Sequence, residues 1–393
     1  MWYFVFRRQP LKSLFLAGHI MFLILVRIPF WTTVYTLIPG LRPRRTWSVV
    51  RSLTVLLLNA VMEALFFTDM NMSQPINLAA EENGSGFVWI DPVPELVTGG
   101  IRELAEINNV KAVRTGGYWF GPRDVPAGQR AMVGEKVIYH VHGGGYIMLS
   151  ANHKWARPCY DGFLEHFPHN PRVFAIEYRL SAAFPFPASS PCPAAIIDAL
   201  AGYRYLIEDV GFEPQNIILS GDSAGANIAL MLAMHLTQSQ FPSLPPPGRL
   251  LLLSPAVDLG DTHTEPGSSM HRNASSDYIT LFFKSKYCAR ALVGRHPLEM
   301  ANTSMWISPA SHKLDVTPGM FGGLPPTCIF IGDAEIFLDQ ARTLRERIQE
   351  DNGEGAVKYM EWADVTHDAV CMPWHEPERT KALREIAKWL ESI

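Results

Sequence analysis

The chain has 393 residues and a mass of 44.0 kDa, with 48% hydrophobic residues, 18% charged residues and a formal net charge of −4. This balance is typical of one large α/β enzyme that carries an additional segment, and the lack of a basic stripe argues against a nucleic-acid partner. The five cysteines are scattered without a C-x-x-C pair, so we interpret them as core residues rather than as a disulfide framework or a zinc site.

Two strongly apolar runs lie near the N-terminus, at residues 14–39 and 53–67. The first is long enough to span a bilayer, but Arg27 lies near its middle, where a charge is costly; the second contains Glu63. The length of the first run and the lack of a small-residue cleavage pattern disfavour a removable signal peptide. Three interpretations compete: a membrane anchor, an interfacial pair lying on the membrane, or apolar helices that cover an active site. We expect membrane association.

The side of the membrane on which the rest of the chain lies stays open. Basic residues flank the first apolar run at both ends, and their distribution slightly favours a cytoplasmic location for the remaining domain. Four N-x-S/T sequons, at Asn71, Asn83, Asn273 and Asn302, favour a luminal location. The expected location is therefore a membrane, with the endoplasmic reticulum as the candidate.

The remainder of the chain alternates between strand-like and helix-like segments. Residues 75–94 are polar and predict a loop, 102–113 predict a short helix, and 116–126 predict a turn-rich strand region. The predicted strands that follow are 136–141, 172–178, 216–219, 249–253, 327–331 and 357–361, and the predicted helices are 193–209, 226–240, 339–350 and 378–392. This alternation indicates a mostly parallel sheet covered by helices on both faces.

One long segment, residues 260–323, breaks the alternation and is rich in Ser, His, Asn and Met. Insertions of this length between two strands are usually lids or binding surfaces, so we assign it to a helical cap. The expected organisation is an N-terminal apolar segment at residues 1–75 and a catalytic domain at residues 76–393.

The strand at 136–141 is followed directly by His142-Gly143-Gly144-Gly145. Glycines let the backbone approach a bound carbonyl and turn N–H groups toward a developing negative charge. Gly143, Gly144 and Gly145 are therefore candidate oxyanion-hole donors, together with the N–H of Ala224. A flexible glycine loop is the alternative, which the position immediately after a strand disfavours.

The strand at 216–219 leads into Gly221-Asp222-Ser223-Ala224-Gly225, which fits G-x-S-x-G. A serine nucleophile sits on such a tight strand-to-helix turn, with its hydroxyl exposed and the backbone crowded against its neighbours. The helix that follows points its first N–H groups toward the site and favours negative charge there. The pattern therefore predicts Ser223 as the nucleophile.

A serine nucleophile needs a base and an acid that orients the base. The chain order Ser, acid, His singles out His367, which follows the last strand and precedes the last helix, with His375 as the runner-up. Asp333, Glu335 and Asp339 all follow the strand at 327–331, and spacing alone does not choose among these three acids. We expect His140, on the strand before His142, to be a partnered core histidine.

Four motifs resemble the hormone-sensitive-lipase-like branch of the α/β-hydrolases, which also contains arylacetamide deacetylases and fungal steryl acetyl hydrolases. They are His142-Gly143-Gly144-Gly145, Tyr178-Arg179-Leu180 with Pro185-Phe186-Pro187-Ala188, Gly221-Asp222-Ser223-Ala224-Gly225, and Leu324-Pro325-Pro326-Thr327. The resemblance extends from about residue 116 to the C-terminus. It implies an α/β-hydrolase fold with a cap built from N-terminal helices and a later insertion.

The resemblance also implies which acid completes the triad. In that family the acid begins a D-x-L-x-D-like segment, and the register against residues 335–339 places it at Glu335. Because the family usually has Asp there, Asp333 stays as the runner-up. A second departure is Asp368, which replaces a glycine that often follows the histidine.

We therefore expect a membrane-associated serine carboxylesterase or deacetylase that acts on short-acyl esters of an apolar alcohol. Its partner would be a small-molecule ester, and no metal or cofactor is implied. Two alternatives use the same residues differently: acyl transfer or lactone opening on a dedicated metabolite, and a catalytically silent binding protein. Acyl-chain length and oligomeric state are not predicted.

Overall fold

Eight strands form one sheet in the order β1-β2-β4-β3-β5-β6-β7-β8 in the computed structural model of the chain, which describes residues 2–68, 86–121, 125–168 and 171–391. The strands are β1 (Phe87–Ile90), β2 (Thr115–Phe120), β3 (Val137–Val141), β4 (Arg172–Glu177), β5 (Ile217–Asp222), β6 (Arg249–Leu253), β7 (Thr327–Gly332) and β8 (Val357–Trp362). The β1–β2 and β2–β4 pairs are antiparallel and the other pairs are parallel. The mostly parallel sheet is therefore confirmed.

Helices cover both faces of the sheet. In chain order, the helices of the described residues are α1 (Leu11–Leu37, with a π-helical turn at Leu23–Arg27), α2 (Val49–Thr68), α3 (Gly99–Asn108), α4 (His153–His166), α5 (Ala194–Arg204), α6 (Ala224–Ser239), α7 (Ser269–Arg272), α8 (Thr280–Lys284), α9 (Tyr287–Val293), α10 (Met300–Thr303), α11 (Leu338–Asn352) and α12 (Glu378–Glu391). Tyr139 on β3 packs into the layer formed with α5 and α6, whereas its neighbour Ile138 packs into the layer formed with α4 and α12. Because both faces of β3 are buried, apolar side chains occupy successive positions of the strand, and only His140 interrupts them.

Three expectations about elements need correction. The predicted loop at 75–94 contains strand β1, which is short and pairs only at the antiparallel edge, where Phe87 lies opposite Tyr118. The helix predicted at 102–113 is α3, which begins at Gly99 and ends where Asn109 adopts a left-handed conformation with φ of 53°. Helix α4 was not predicted, because its polar residues and the internal Pro158 obscure the helical pattern.

The two N-terminal helices form an antiparallel hairpin. The rings of Phe15 and Phe67 lie 5.7 Å apart at one end, and the His19 imidazole is 2.9 Å from the carbonyl oxygen of Ala60. Near the middle of α1, Arg27 donates two hydrogen bonds to Glu63, at 2.7 and 3.2 Å. The two charges that are costly in an apolar segment therefore pair with each other across the hairpin.

Candidate active site

Ser223 lies at the turn from β5 into α6, in a strained backbone conformation with φ of 52° and ψ of −117°. The turn is held by the Ser223 N–H, which donates to the carbonyl oxygen of Leu253 at 2.8 Å, and by the Ala256 N–H, which donates to the Ser223 carbonyl at 3.1 Å. A non-glycine residue at positive φ is costly and persists only where the surroundings enforce it. The turn therefore has the geometry of a nucleophile elbow.

The two glycines of the elbow are required by close backbone packing. A Cβ atom on Gly221 would lie 2.3 Å from the backbone of Gly225, and one on Gly225 would lie 2.0 Å from the carbonyl oxygen of Val141. Both distances are shorter than any real contact. The G-x-S-x-G pattern therefore follows from the crossing of β5, α6 and β3 at this point.

The structure brings Ser223, His367 and Glu335 together in a line. The Nε2 atom of His367 is 3.0 Å from the Oγ atom of Ser223, and its Nδ1 atom is 3.0 Å from Oε2 of Glu335. The second carboxylate oxygen of Glu335 accepts hydrogen bonds from the Gly332 N–H at 2.6 Å and the Ser254 hydroxyl at 2.9 Å. All three residues are buried, and Ser223 is only 3% exposed.

The acids and the histidine that were left as alternatives have other contacts. Asp333 is partly exposed, and its Oδ1 atom accepts a hydrogen bond from the Asp364 N–H at 2.7 Å. Asp339 accepts from the Ser269 N–H at 2.6 Å. His375 is buried, and its Nε2 atom accepts from the N–H of Thr366, the residue before His367. Burial lowers the pKa of His375 to about 4, so this ring is neutral and positions the loop.

Asp368 makes a contact that the sequence did not reveal. One of its oxygens lies 3.2 Å from Nε2 of His367, on the nitrogen that also faces Ser223, and its other oxygen is buried without a hydrogen-bond partner among the described residues. Burial raises the pKa of Asp368 to about 7, against the opposing effect of the His367 charge. Burial alone would lower the pKa of His367, but Asp368 and Glu335 outweigh it and raise this pKa well above its usual value.

In the loop after β3, residues 142–145 (the oxyanion loop), one of the candidate donors is already occupied. The Gly143 N–H donates to Oδ1 of Asp222 at 3.0 Å, so it is not free to bind an oxyanion as expected. The same carboxylate oxygen lies 3.0 Å from Nε2 of His140, whose Nδ1 faces the hydroxyl of Ser220 at 3.2 Å. His140 is thus the partnered core histidine expected from the sequence. Asp222 ties the oxyanion loop to the nucleophile elbow.

The other two glycines adopt conformations that favour glycine, with φ of 104° at Gly144 and 62° at Gly145. A Cβ atom on Gly144 would lie 2.2 Å from the carbonyl oxygen of Met148. The His142 ring stacks on Tyr178, with centroids 4.2 Å apart, and the Tyr178 hydroxyl donates to the carbonyl oxygens of His142 and Gly143. Burial lowers the pKa of His142 to about 4, so the ring is neutral and supports the loop.

The segment between β6 and β7 contacts the loops that carry His367 and Glu335. The Tyr278 hydroxyl donates to the carbonyl oxygen of His367 at 3.1 Å. Asn273 donates from Nδ2 to the carbonyl oxygens of Asp333 and Glu335, at 2.8 and 2.6 Å. Sequence reasoning treated Asn273 only as a sequon, but its buried amide fixes the loop that carries Glu335. These contacts leave no room for a glycan on that nitrogen.

Asn302, a second sequon, is also buried, and its side-chain oxygen accepts a hydrogen bond from the Asp261 N–H. The sequons at Asn71 and Asn83 lie outside the described residues. The two sequons in the described part of the chain therefore give no support for a luminal catalytic domain.

Comparison with known proteins agrees with this architecture. A sequence model of the α/β hydrolase fold family matches residues 138–371, which is more than half of the chain, and the protein belongs to this family. The matched range begins in β3 and ends just after His367, so it contains both glycine motifs together with Ser223, Glu335 and His367.

Two similar proteins and one solved structure indicate which class of enzyme within the α/β hydrolase family this chain represents. An esterase from Acinetobacter venetianus is 28% identical over 66% of this chain and 75% of its own length, and an acetyl-hydrolase from Streptomyces hygroscopicus is 28% identical over 68% and 82%. The crystal structure of a hormone-sensitive lipase from a metagenome library superposes with a TM-score of 0.55 at 25% identity, over 71% of this chain and 82% of that one. The protein is therefore a carboxylic ester hydrolase of the hormone-sensitive-lipase-like type.

Proposed function

We propose that the protein is a membrane-associated serine carboxylesterase or deacetylase that hydrolyses short-acyl esters of an apolar alcohol. The observation that carries this proposal is the hydrogen-bonded line from Ser223 through His367 to Glu335, with both contacts of the imidazole at 3.0 Å. A serine with a base in hydrogen-bond reach and an acid on the far nitrogen is the arrangement that acyl transfer through serine requires.

In the proposed mechanism Ser223 Oγ attacks the ester carbonyl while His367 Nε2 takes its proton. Glu335 holds the imidazole with Nδ1 protonated and stabilises the cation that forms. The N–H groups of Gly144, Gly145 and Ala224 bind the oxyanion. His367 then protonates the departing alcohol, and the acyl-enzyme is hydrolysed by water with His367 again as base.

The short-acyl preference rests on two supports. One relative is named an acetyl-hydrolase, and another, from Pseudomonas putida, is named an ethyl acetate hydrolase. In addition, Ile147, Met148 and Cys288 pack together in one buried cluster next to the glycine loop, and a Cβ on Gly145 would lie 3.1 Å from the Cys288 sulfur. This close packing beside the loop is consistent with a small acyl group.

Membrane association and the domain organisation belong to the same proposal. Among the described residues, α1 and α2 are long and apolar enough to cross a membrane, which by length and composition alone is weak support. We assign α1 and α2 to the N-terminal segment of residues 1–75, and residues 260–323 to a cap within the catalytic domain, residues 76–393.

The test is hydrolysis of a p-nitrophenyl ester series, from acetate to decanoate, by wild type and Ser223→Ala. We expect turnover that falls with chain length in wild type and a loss of nearly all rate in the variant, with unchanged thermal unfolding. A fluorophosphonate probe should label wild type but not Ser223→Ala. Folded wild type that neither hydrolyses any ester nor reacts with the probe would overturn the proposal. Release of an acylated product when alcohol is added would favour acyl transfer over hydrolysis.

A further inference from the structure

The N-terminal end of α2 is fixed to the catalytic domain. Trp47 is buried, and its indole N–H donates to the carbonyl oxygen of Asp364 at 2.8 Å. One turn into the helix, Arg51 donates to Glu378 at 2.7 Å. The Arg44 guanidinium hydrogen-bonds the carbonyl oxygen of Asp333. These contacts place the start of α2 beside the loops that follow β7 and β8.

The remainder of α2 runs over the triad toward the other side of the sheet. Val55 is fully buried in a cluster with Ala334, the residue before Glu335. At the far end, the Phe66 ring lies 5.5 Å from that of Phe282 and packs in the cluster that contains Ile147, just beyond the oxyanion loop. Both ends of α2 therefore contact the catalytic domain, and the helix lies across the carboxyl edge of the sheet.

Both the first and the second half of the outer helix α1 contact α2. It contacts α2 at its start through Phe15, in the first half through His19 and near its middle through Arg27. Just beyond its end, Arg42 donates to the carbonyl oxygens of Tyr35 and Trp47, which closes the hairpin. A helix of this length is about 40 Å long. Because α2 is fixed at both ends, both ends of α1 lie on the same face of the catalytic domain.

The outward face of α1 is apolar without interruption by charge. Leu14, Met21 and Leu25 are spaced to share one face and are 66%, 59% and 68% exposed. Between Ser13 and Leu41 the sequence has one Lys, Arg, Asp or Glu, which is Arg27, and this residue turns inward to Glu63. A lid that faced water would carry polar groups on this surface.

We propose that α1 lies in the plane of one membrane leaflet, with its outward face among the lipid chains, and does not cross the bilayer. This proposal rests on the membrane association proposed above. Exposed arginines at the two ends of the hairpin, Arg8 and Arg45, complement anionic headgroups at the same depth. The occupant of this face is a lipid bilayer, and the active-site edge of the sheet faces it. The ester substrate would therefore be one that dissolves in membranes.

Cysteine accessibility in sealed microsomes from cells that express the full-length chain tests this arrangement. Single variants Gln9→Cys and Gly40→Cys probe the two ends of α1, and Val133→Cys, which is almost fully exposed on the catalytic domain, reports the side of that domain. Of the native cysteines, four are buried and Cys371 is partly buried, so wild type gives the background.

In-plane binding places all three introduced cysteines on the same side of the membrane. An impermeant maleimide should therefore label the three variants to the same fraction as one another in sealed microsomes, and again after permeabilisation. If α1 spans the bilayer, one of the two end positions will differ from Val133→Cys and be labelled only on the opposite side. That result would overturn the proposal. Hydrolysis of p-nitrophenyl acetate in the same microsomes is scored separately against Ser223→Ala. Activity with the wrong topology overturns only the in-plane arrangement, and inactivity with the expected topology overturns only the proposed hydrolysis.

Binding of purified full-length protein to vesicles of phosphatidylcholine and phosphatidylserine tests the occupant. Leu25→Glu should weaken binding about tenfold or more, because it removes a large apolar side chain from the lipid chains and puts a charge there, whereas the matched control Val133→Glu should not. Wild type that does not bind vesicles would contradict the proposal. So would a lipid-free dimer that Leu25→Glu dissociates, because the occupant would then be a second copy of the chain.

Discussion

The carboxyl edge of the sheet and the N-terminal hairpin both pair ionisable side chains in apolar surroundings, but they hold the pair differently. In the site, Glu335 is fully buried and accepts hydrogen bonds from the backbone N–H of Gly332 at the end of β7, from Ser254 after β6 and from His367. In the hairpin, Arg27 and Glu63 are about a quarter to a third exposed and bind each other bidentately across two helices. The first arrangement orients a reacting group, and the second fixes how two helices align.

Removing the charge of the site's acid should give the largest effect. In Glu335→Gln, the amide no longer stabilises the imidazolium or selects the tautomer with Nδ1 protonated, so kcat should fall by up to about 10⁴-fold. Steady-state hydrolysis of p-nitrophenyl acetate measures this loss. The control is Glu361→Gln, which alters a partly exposed carboxylate on β8 and should leave kcat within about twofold. A similar kcat in the two variants would show that Glu335 does not act through His367.

Alanine substitutions of glycine should have opposite effects on the free energy of unfolding in the two regions, because the site is tightly packed around its glycine and the hairpin is not. A Cβ on Gly225 would lie 2.0 Å from the Val141 carbonyl oxygen, whereas one on Gly18 of α1 meets nothing within 4 Å. Gly225→Ala should lower the free energy of unfolding by about 3–4 kcal/mol because the elbow cannot close. Gly18→Ala should raise it by about 0.5–1 kcal/mol, since alanine loses less entropy in a helix. Denaturant unfolding in detergent micelles measures both, and equal effects would contradict the described elbow packing.

Asp368 predicts a pH effect of intermediate size. Hydrolysis needs neutral His367, and the Asp368 carboxylate favours the imidazolium, so it raises the pH at which the base becomes available. Asp368→Asn should therefore move the acidic limb of the kcat/KM profile down by about one pH unit, which is about tenfold in rate on that limb. The other ionisable groups that influence His367 or Asp368 are unchanged in this variant: Asp222, Glu335, Asp277, Tyr278 and Cys371.

The control for the pH profile is Asp315→Asn, which alters an exposed carboxylate in the segment between β6 and β7. This variant should leave the acidic limb of the kcat/KM profile at the wild-type pH. Asp368→Gly, which also removes the carboxylate, should reproduce the shift of Asp368→Asn. An acidic limb that does not move in either variant would show that Asp368 stays protonated and has no influence on the base.

The catalytic region was far more predictable than the hairpin, for a physical reason. Ser223 and His367 follow from motifs and chain order, because parallel strands bring their carboxyl ends to one edge. Glu335 needed the family resemblance, since three acids follow β7. The donor role of Gly143 was wrong because a pattern of glycines does not show that Asp222 accepts from this N–H.

The hairpin depends on contacts between residues far apart in sequence. Arg27 and Glu63 are separated by 36 residues, and the ring of Phe66 contacts that of Phe282, which lies in the segment between β6 and β7. Hydropathy identified both helices but treated Arg27 as a cost, because it reports no partner. Of the three interpretations left open, the contacts of α2 favour helices that cover the site, and the outward face of α1 favours contact with lipid.

The smallest effect should come from the hairpin's ion pair, measured by a double-mutant cycle. Arg27→Met and Glu63→Met each leave a charge without its bidentate partner, whereas the double variant leaves none. We expect a coupling free energy of about 1 kcal/mol, in the upper range for partly exposed pairs, because both side chains lie between apolar helices. Denaturant unfolding in micelles measures each corner of the cycle. Additive single effects would mean that apolar packing alone aligns the hairpin. The Arg27–Glu63 pair would then make no energetic contribution of its own, unlike the pair of Glu335 and His367 in the site.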